Sequence, residues 1–235
     1  MIVASARGDA PPVAVYHFDE TSGDVARDGS GGGHEARLLE GARFTAGGRR
    51  GGCLALPASG SRAEAPSAPA LDLTEELTLM CWAQAPGGNG QWQWVISKCD
   101  GEETRNYGLY IAKDGGEMHF TTTFADMGRG HADPGSSSVV WDGQWHHLAV
   151  TFSRWTERLR LYVDGKLTVG SGRSAEHRVA QGGLLPAAAP LMMGQAMGGP
   201  TADGKPRPPA LLDEVYVYPR ALTAEEIAAA AQGSR

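Results

Sequence analysis

The segment Asp142-Gly-Gln-Trp-His-His-Leu-Ala-Val-Thr-Phe152, Ser153-Arg-Trp-Thr-Glu-Arg158, Leu159-Arg-Leu-Tyr-Val-Asp-Gly-Lys-Leu-Thr-Val169 decides the fold. It holds three runs of β-type residues separated by two turn signals. Side chains alternate across a strand, so the first run sets His146, Leu148, Val150 and Phe152 on one face and Trp145, His147, Ala149 and Thr151 on the other. In the second run Leu159, Leu161 and Val163 oppose Arg160 and Tyr162. Between the second and third runs lies Asp164-Gly165. A type I′ turn needs positive φ at both central positions, which Asp-Gly accepts, so the pair predicts a tight hairpin. The whole segment reads as an antiparallel meander.

Further strand patterns extend in both directions: Val13 to Phe18, Gly51 to Leu56, Leu77 to Gln84, Trp92 to Ser97, Tyr107 to Ala112, Met118 to Phe124, Leu191 to Gly194 and Leu211 to Tyr218. Arg37 to Glu40 and Ala42 to Phe44 predict a short hairpin. Polar or Gly-rich stretches separate these runs, notably Asp19 to His34, Pro86 to Gly90, Lys98 to Asn106 and Ala125 to Ser138. One helix is predicted, over about Ala224 to Ala231, because Thr223-Ala-Glu-Glu226 is a capping box and Leu222 with Ile227 has the spacing of a hydrophobic staple. Many short strands with Gly-rich turns predict two packed antiparallel sheets, with the first and last strands as neighbours. Residues 1–12 read as an N-terminal extension and 13–232 as one domain.

Composition narrows the function. Among 235 residues the net charge is -6 and the cationic side chains are scattered, so nothing tracks a phosphate backbone and nucleic acid is excluded as a partner. No run of about 18 apolar residues is present to span a membrane. Met1 to Pro12 lacks the apolar centre of a signal peptide, so if the protein is exported its signal lies outside this chain. Cys53, Cys81 and Cys99 are odd in number and lack zinc-site spacing. They read as small buried hydrophobes, with a Cys81–Cys99 bridge as the alternative.

The segment from Asp142 to Gly165 resembles the central signature of the laminin G-like jelly rolls in the concanavalin A-like lectin/glucanase superfamily. Phe18 to Gly23 with Asp28 to Gly31, and Leu212 to Leu222, are similar to that family's terminal segments and stand in the same order. The resemblance implies an all-β, two-sheet antiparallel jelly-roll sandwich. It also implies a non-catalytic extracellular module that recognises a glycan or a protein partner. A structural or adhesive subunit that packs against copies of itself is the alternative reading, and a divergent glycan-active hydrolase the third. Retaining glucanases of this fold carry Glu-x-Asp-x-x-Glu on one strand, which holds the two acids about 5–5.5 Å apart. That spacing is missing here, and the paired acids Glu75-Glu76, Glu102-Glu103 and Glu225-Glu226 read as surface charge.

Three constellations remain. The Asp19 to Gly32 loop carries Asp19, Glu20, Asp24 and Asp28, and its oxygens suit calcium, which takes six to eight such ligands. The family resemblance implies a structural calcium held by the Asp of the last strand, here Asp213, and by carbonyls at His17 to Asp19 and Gly51-Gly52. The expected metal set is thus Asp213, Asp19, His17, Gly52 and Asp28; the competing reading has these Asp side chains capping turns. His146 and His147 point to opposite faces of a strand and cannot chelate one ion together, so both read as structural, with one buried and hydrogen-bonded. Finally, Trp92 and Trp94 share a parity, so they form either a sugar-stacking face or part of the core. With Arg105, Asn106 and Asp126 they make the candidate ligand set, on loops expected to cluster at one rim.

Overall fold

The structure, a computed structural model, describes residues 9–87, 92–100, 104–113, 116–125, 135–168, 176–178, 182–194 and 210–233. The first strands are β1 (Ala14–Tyr16), β2 (Val25–Ala26), β3 (Ala36–Leu39), β4 (Arg43–Ala46), β5 (Gly52–Leu56) and β6 (Arg62–Ala65). A middle group follows: β7 (Glu76–Gln84), β8 (Gln93–Asp100), β9 (Thr104–Ile111), β10 (Glu117–Thr121) and β11 (Gly135–Val139). The chain ends with β12 (His146–Ser153), β13 (Arg158–Val163), β14 (Lys166–Leu167), β15 (Glu176–Arg178), β16 (Leu191–Gly194), β17 (Ala210–Tyr218) and the helix α1 (Ala224–Gln232).

Two antiparallel sheets result. Sheet A is ordered β14-β13-β12-β7-β17-β5-β4, with β1 added to β17 and β15 to β13. Sheet B is ordered β11-β10-β9-β8-β16-β6-β3-β2. The meander forms as its alternation requires. Leu148, Val150 and Phe152 of β12 and Leu159, Leu161 and Val163 of β13 enter one core with Tyr107, Leu109, Ile111, Met118 and Phe120 of sheet B. The hairpin turn has φ of 52° at Asp164 and 76° at Gly165, the left-handed pair that Asp-Gly permits. Its Asp164 carboxylate accepts from the His147 N–H at 2.9 Å and contacts the His146 ring at 2.8 Å, so turn and strand hold each other. The first and last strands pair, Ala14 opposite Val217.

Helix α1 starts on the full capping box. Thr223 Oγ accepts from the Glu226 N–H and the Glu226 carboxylate accepts from the Thr223 N–H. Its apolar side, with Leu222 and Ile227, covers Met80, Ala149 and Tyr162 on the outer face of sheet A. No helix among the described residues is long and apolar enough to cross a membrane.

Several sequence expectations need correction: β2 lies inside the Asp19 to His34 stretch and β11 overlaps the end of Ala125 to Ser138, both read as separating loops. The hairpin expected from Arg37 to Phe44 does not pair with itself: β3 joins sheet B while β4 joins sheet A against β5. Positive φ at Glu40 and Gly41 turns the chain from one sheet to the other. Lys98 to Asn106, read as a polar turn, is mostly strand, since β8 runs through Asp100 and β9 begins at Thr104. Lys98 is fully buried and its charge is matched by Asp72 at 2.7 Å, with Ser67 Oγ and the Ala187 carbonyl as further acceptors. All three cysteines are buried and unbridged.

Candidate functional site

The outer face of sheet B carries a row of rings. Trp94 on β8 lies opposite Tyr110 on β9, and Tyr110 lies opposite His119 on β10. Their neighbours in sequence, Val95, Leu109, Ile111, Met118 and Phe120, all enter the core, so alternation turns these three rings outward. Tyr110 and His119 stack at 5.2 Å with planes 19° apart. Trp94 meets Tyr110 edge-on at 5.7 Å, and Trp92 meets Tyr110 at 5.4 Å and His119 at 5.9 Å. Neither Trp belongs to the core, and Trp92 is 36% exposed. The indole of Trp94 lies across Gly108, where an added Cβ would sit 2.4 Å from the ring. Glycine there is a steric requirement of the platform.

The remaining members of the expected ligand set divide. Arg105 reaches along β9 and donates from Nη1 to Thr121 Oγ at 3.0 Å, and Thr121 borders the same Gly108 that Trp94 covers. Long side chains thus bring Arg105 and Trp94 to one patch even though their backbones are several residues apart on the sheet. Asn106 does not reach the surface: it is fully buried, donates to the Leu73 and Leu185 carbonyls and accepts from the Leu73 N–H. Its role is to tie covering loops to β9. Asp126 lies outside the described residues. Two of the expected loops do not share one rim, because β8 separates the Pro86–Trp94 end from the β8–β9 turn by about 25 Å at 3.3 Å per residue, while most of Ala125–Ser138 lies outside the described residues. His119 and Thr121 were missed in sequence; the alternation of Met118, His119 and Phe120 was the available signal.

A second constellation forms where β1 and β17 meet the β4–β5 loop. Asp213 is fully buried; its Oδ2 accepts from the Arg50 N–H at 2.8 Å, while Oδ1 has no hydrogen-bond partner. Burial raises its pKa to about 6, and the neighbouring charges of Glu214 and Asp19 push in the same direction against the hydrogen bonds from Arg50 and Glu214. Asp19 Oδ1 accepts from the Gly52 N–H at 2.8 Å. Main chain crowds these carboxylates: a Cβ on Gly48 would lie 1.8 Å from the Gly52 carbonyl oxygen and 2.8 Å from Asp213 Oδ2, and one on Gly52 would lie 2.6 Å from the Phe18 carbonyl oxygen. Phe18 and Glu214 both take positive φ here, and β17 carries a register shift between Asp213 and Tyr216. Such bulges and left-handed residues store strain where a site fixes the backbone.

An orphaned buried carboxylate oxygen beside inward carbonyls is what a hard cation requires, so the residues fit calcium. Among the described residues no three His, Cys, Asp or Glu side chains converge on one metal position, and main-chain oxygens would supply the balance. The rest of the expected metal set behaves differently. Asp28 gives Oδ1 to the Val15 and Ser30 N–H groups and Oδ2 to His34 N–H, all within 3.0 Å. Burial pushes its pKa up, but these hydrogen bonds outweigh it and hold the carboxyl below its ordinary value. Asp28 is the tie of the long N-terminal loop. The His17 ring contacts Glu214 at 3.0 Å, which leaves its segment only main-chain oxygen for an ion.

The adjacent histidines divide the two properties expected of one of them: His146 is the hydrogen-bonded one and His147 the buried one. His146 is bound on both ring nitrogens, to Asp164 at 2.8 Å and to Asp142 at 3.1 Å, yet sits at the partly open strand end. His147 is the buried one, and its Nδ1 has no hydrogen-bond partner.

With this geometry in view, the family assignment follows. Residues 57–228 match the Laminin_G_3 family model of the Concanavalin A-like lectin/glucanases superfamily. The chain belongs to that family. No curated protein matches the sequence. Among solved structures, the binding domain of Paraclostridial Mosquitocidal Protein 1 superposes with a TM-score of 0.73 at 14% identity, over 95% of this chain and 52% of that one. Botulinum neurotoxin type C gives 0.71 at 12% identity, over 97% and 52%. The ligand-binding domain of botulinum neurotoxin serotype D, solved with N-acetylneuraminic acid, gives 0.70 at 12%, over 94% and 50%. At these identities the likeness concerns the fold, and the chain spans about half the length of each.

Proposed function

We propose that this domain is a non-catalytic, extracellular recognition module whose sheet B platform binds glycan. The observation that carries this reading is the cross-strand row of Trp94, Tyr110 and His119, joined by the exposed Trp92 and bordered by Arg105. Sugar rings stack their C–H faces on aromatic planes and are oriented by planar donors such as guanidinium. The exposed Trp92 ring, held edge-on by the largely buried Tyr110 and by His119, with one cation at the edge of the row, meets both needs. Support by analogy comes from the neighbours, whose descriptions name two ganglioside molecules, N-acetylneuraminic acid and, for botulinum neurotoxin DC, rat synaptotagmin II.

A structural calcium at Asp213, Asp19 and the carbonyls of Phe18 and Gly52 would support the fold at a distance from the platform, binding the native state by mass action. A glycan array probed with the calcium-loaded protein tests the main reading. Selective binding that Trp92→Ala removes is expected; a folded protein that ignores every glycan contradicts it and favours a protein partner or self-assembly.

A further inference from the structure

The outer face of sheet A holds a cleft of about 600 Å³ between helix α1 and the β4–β5 loop. This is within the roughly 300–1,000 Å³ of small-molecule sites. Its walls are apolar: Met80, Trp82, Tyr216, Tyr218, Ala229 and Ala230. Most polar groups around it are already engaged. Arg220 grips Glu226 through both of its terminal nitrogens, at 3.1 and 2.7 Å. Glu214 contacts the His17 ring at 3.0 Å and accepts from the Tyr216 hydroxyl at 2.7 Å.

Two lining groups are not engaged in this way. The guanidinium of Arg50 makes no hydrogen bond among the described residues; it forms a long ion pair with Glu214, 3.9 Å away, which leaves its N–H donors open. The other is His147, 2% exposed, with its orphan Nδ1. Desolvation lowers the His147 pKa to about 4, with the Arg50 charge adding to the shift and Asp164 opposing it, so the ring is neutral at physiological pH. A second guanidinium, Arg49, lies over the Trp82 ring, 4.5 Å from its centre. A guanidinium with open donors, a buried neutral imidazole whose Nδ1 has no hydrogen-bond partner and an apolar wall are complementary to a specific chemistry.

We infer that this cleft binds a small organic acid, with its single anionic head on Arg50 and its flat apolar body against Trp82, Tyr216 and the Ala229–Ala230 edge of α1. The site is separate from the sheet B platform and does not depend on glycan binding there. Calorimetric titration of the full chain with naphthalene-2-carboxylate, and with its neutral carboxamide, is the test. The expected result is saturable one-to-one binding of the carboxylate, at least about tenfold tighter than the carboxamide, that tenfold being about 1.4 kcal/mol. Arg50→Gln keeps the main-chain N–H bound to Asp213 and should erase the difference between the two ligands. Ala229→Trp, at an exposed helix position, should fill the cleft and abolish both. Trp92→Ala should change neither. The inference is overturned if the folded wild type gives no saturable binding, if acid and amide bind alike, if binding survives Ala229→Trp in a folded variant, or if it is lost in Trp92→Ala.

Discussion

Single residues in this protein do separable jobs, and the carboxylates show it best. Asp213 within β17 and Asp28 in the β2–β3 loop are both acids expected at the metal, yet one leaves a buried oxygen unmatched while the other spends both oxygens on amides. Calcium should therefore raise the melting midpoint of chelator-treated protein, by about 2.7 kcal/mol of added stability at one hundred times Kd. In Asp213→Ala the calcium-dependent increment should vanish; an increment that persists would assign the ion elsewhere. His146 gives a pH-dependent case. Burial lowers its pKa, but Asp164 and Asp142 together outweigh burial and raise it above the usual value. The stabilisation is complete below about pH 6.5 and is lost as pH rises through the folded-state value. Denaturant unfolding should thus show His146→Asn costing more near pH 5.5 than near pH 8.5, by at most about 1 kcal/mol because the group is near the surface.

At the scale of elements, strand parity was the most legible feature of the sequence. It sorted β12 and β13 correctly into core and outer faces, and the capping box fixed the start of α1. Thr223→Ala should cost about 1 kcal/mol in thermal or chemical unfolding, since it removes the acceptor of the Glu226 N–H. Which sheet a strand joins was not legible, because pairing is long-range: β3 and β4 adjoin in sequence but sit in opposite sheets. Polarity also misled where a charge is buried with its partner, as Lys98 is with Asp72, distant in sequence and 2.7 Å away in the fold. Gly108 belongs to this scale as well. Gly108→Ala should displace the Trp94 indole and weaken glycan binding at least about tenfold, at a stability cost of about 1–2 kcal/mol. A variant that binds normally would mean that Trp94 is not part of the recognition surface.

Over the whole molecule, the sandwich separates support from recognition. One core joins the two sheets, α1 covers part of the outer face of sheet A and leaves the cleft beside the β4–β5 loop, and the outer face of sheet B carries the row of rings. The candidate site was legible as residue types, since Trp92 and Trp94 share a face, but the rows that complete it come from three strands whose register only folding sets. For the same reason Asn106 entered the expected set as a planar polar group on a polar segment, although packing buries it. The cleft under α1 draws on β1, β7, β12, β17 and the helix and had no local signature at all. The central claim is that the aromatic row of sheet B recognises glycan through the exposed Trp92, which is not part of the core. It is tested most directly by measuring, on one preparation of Trp92→Ala, both the dissociation constant for an array-selected glycan and the melting midpoint. The account predicts affinity at least about tenfold weaker, about 1.4 kcal/mol, with a midpoint close to wild type. Unchanged affinity, or a midpoint that falls by the several degrees expected when about 3–5 kcal/mol of core packing is lost, would contradict it.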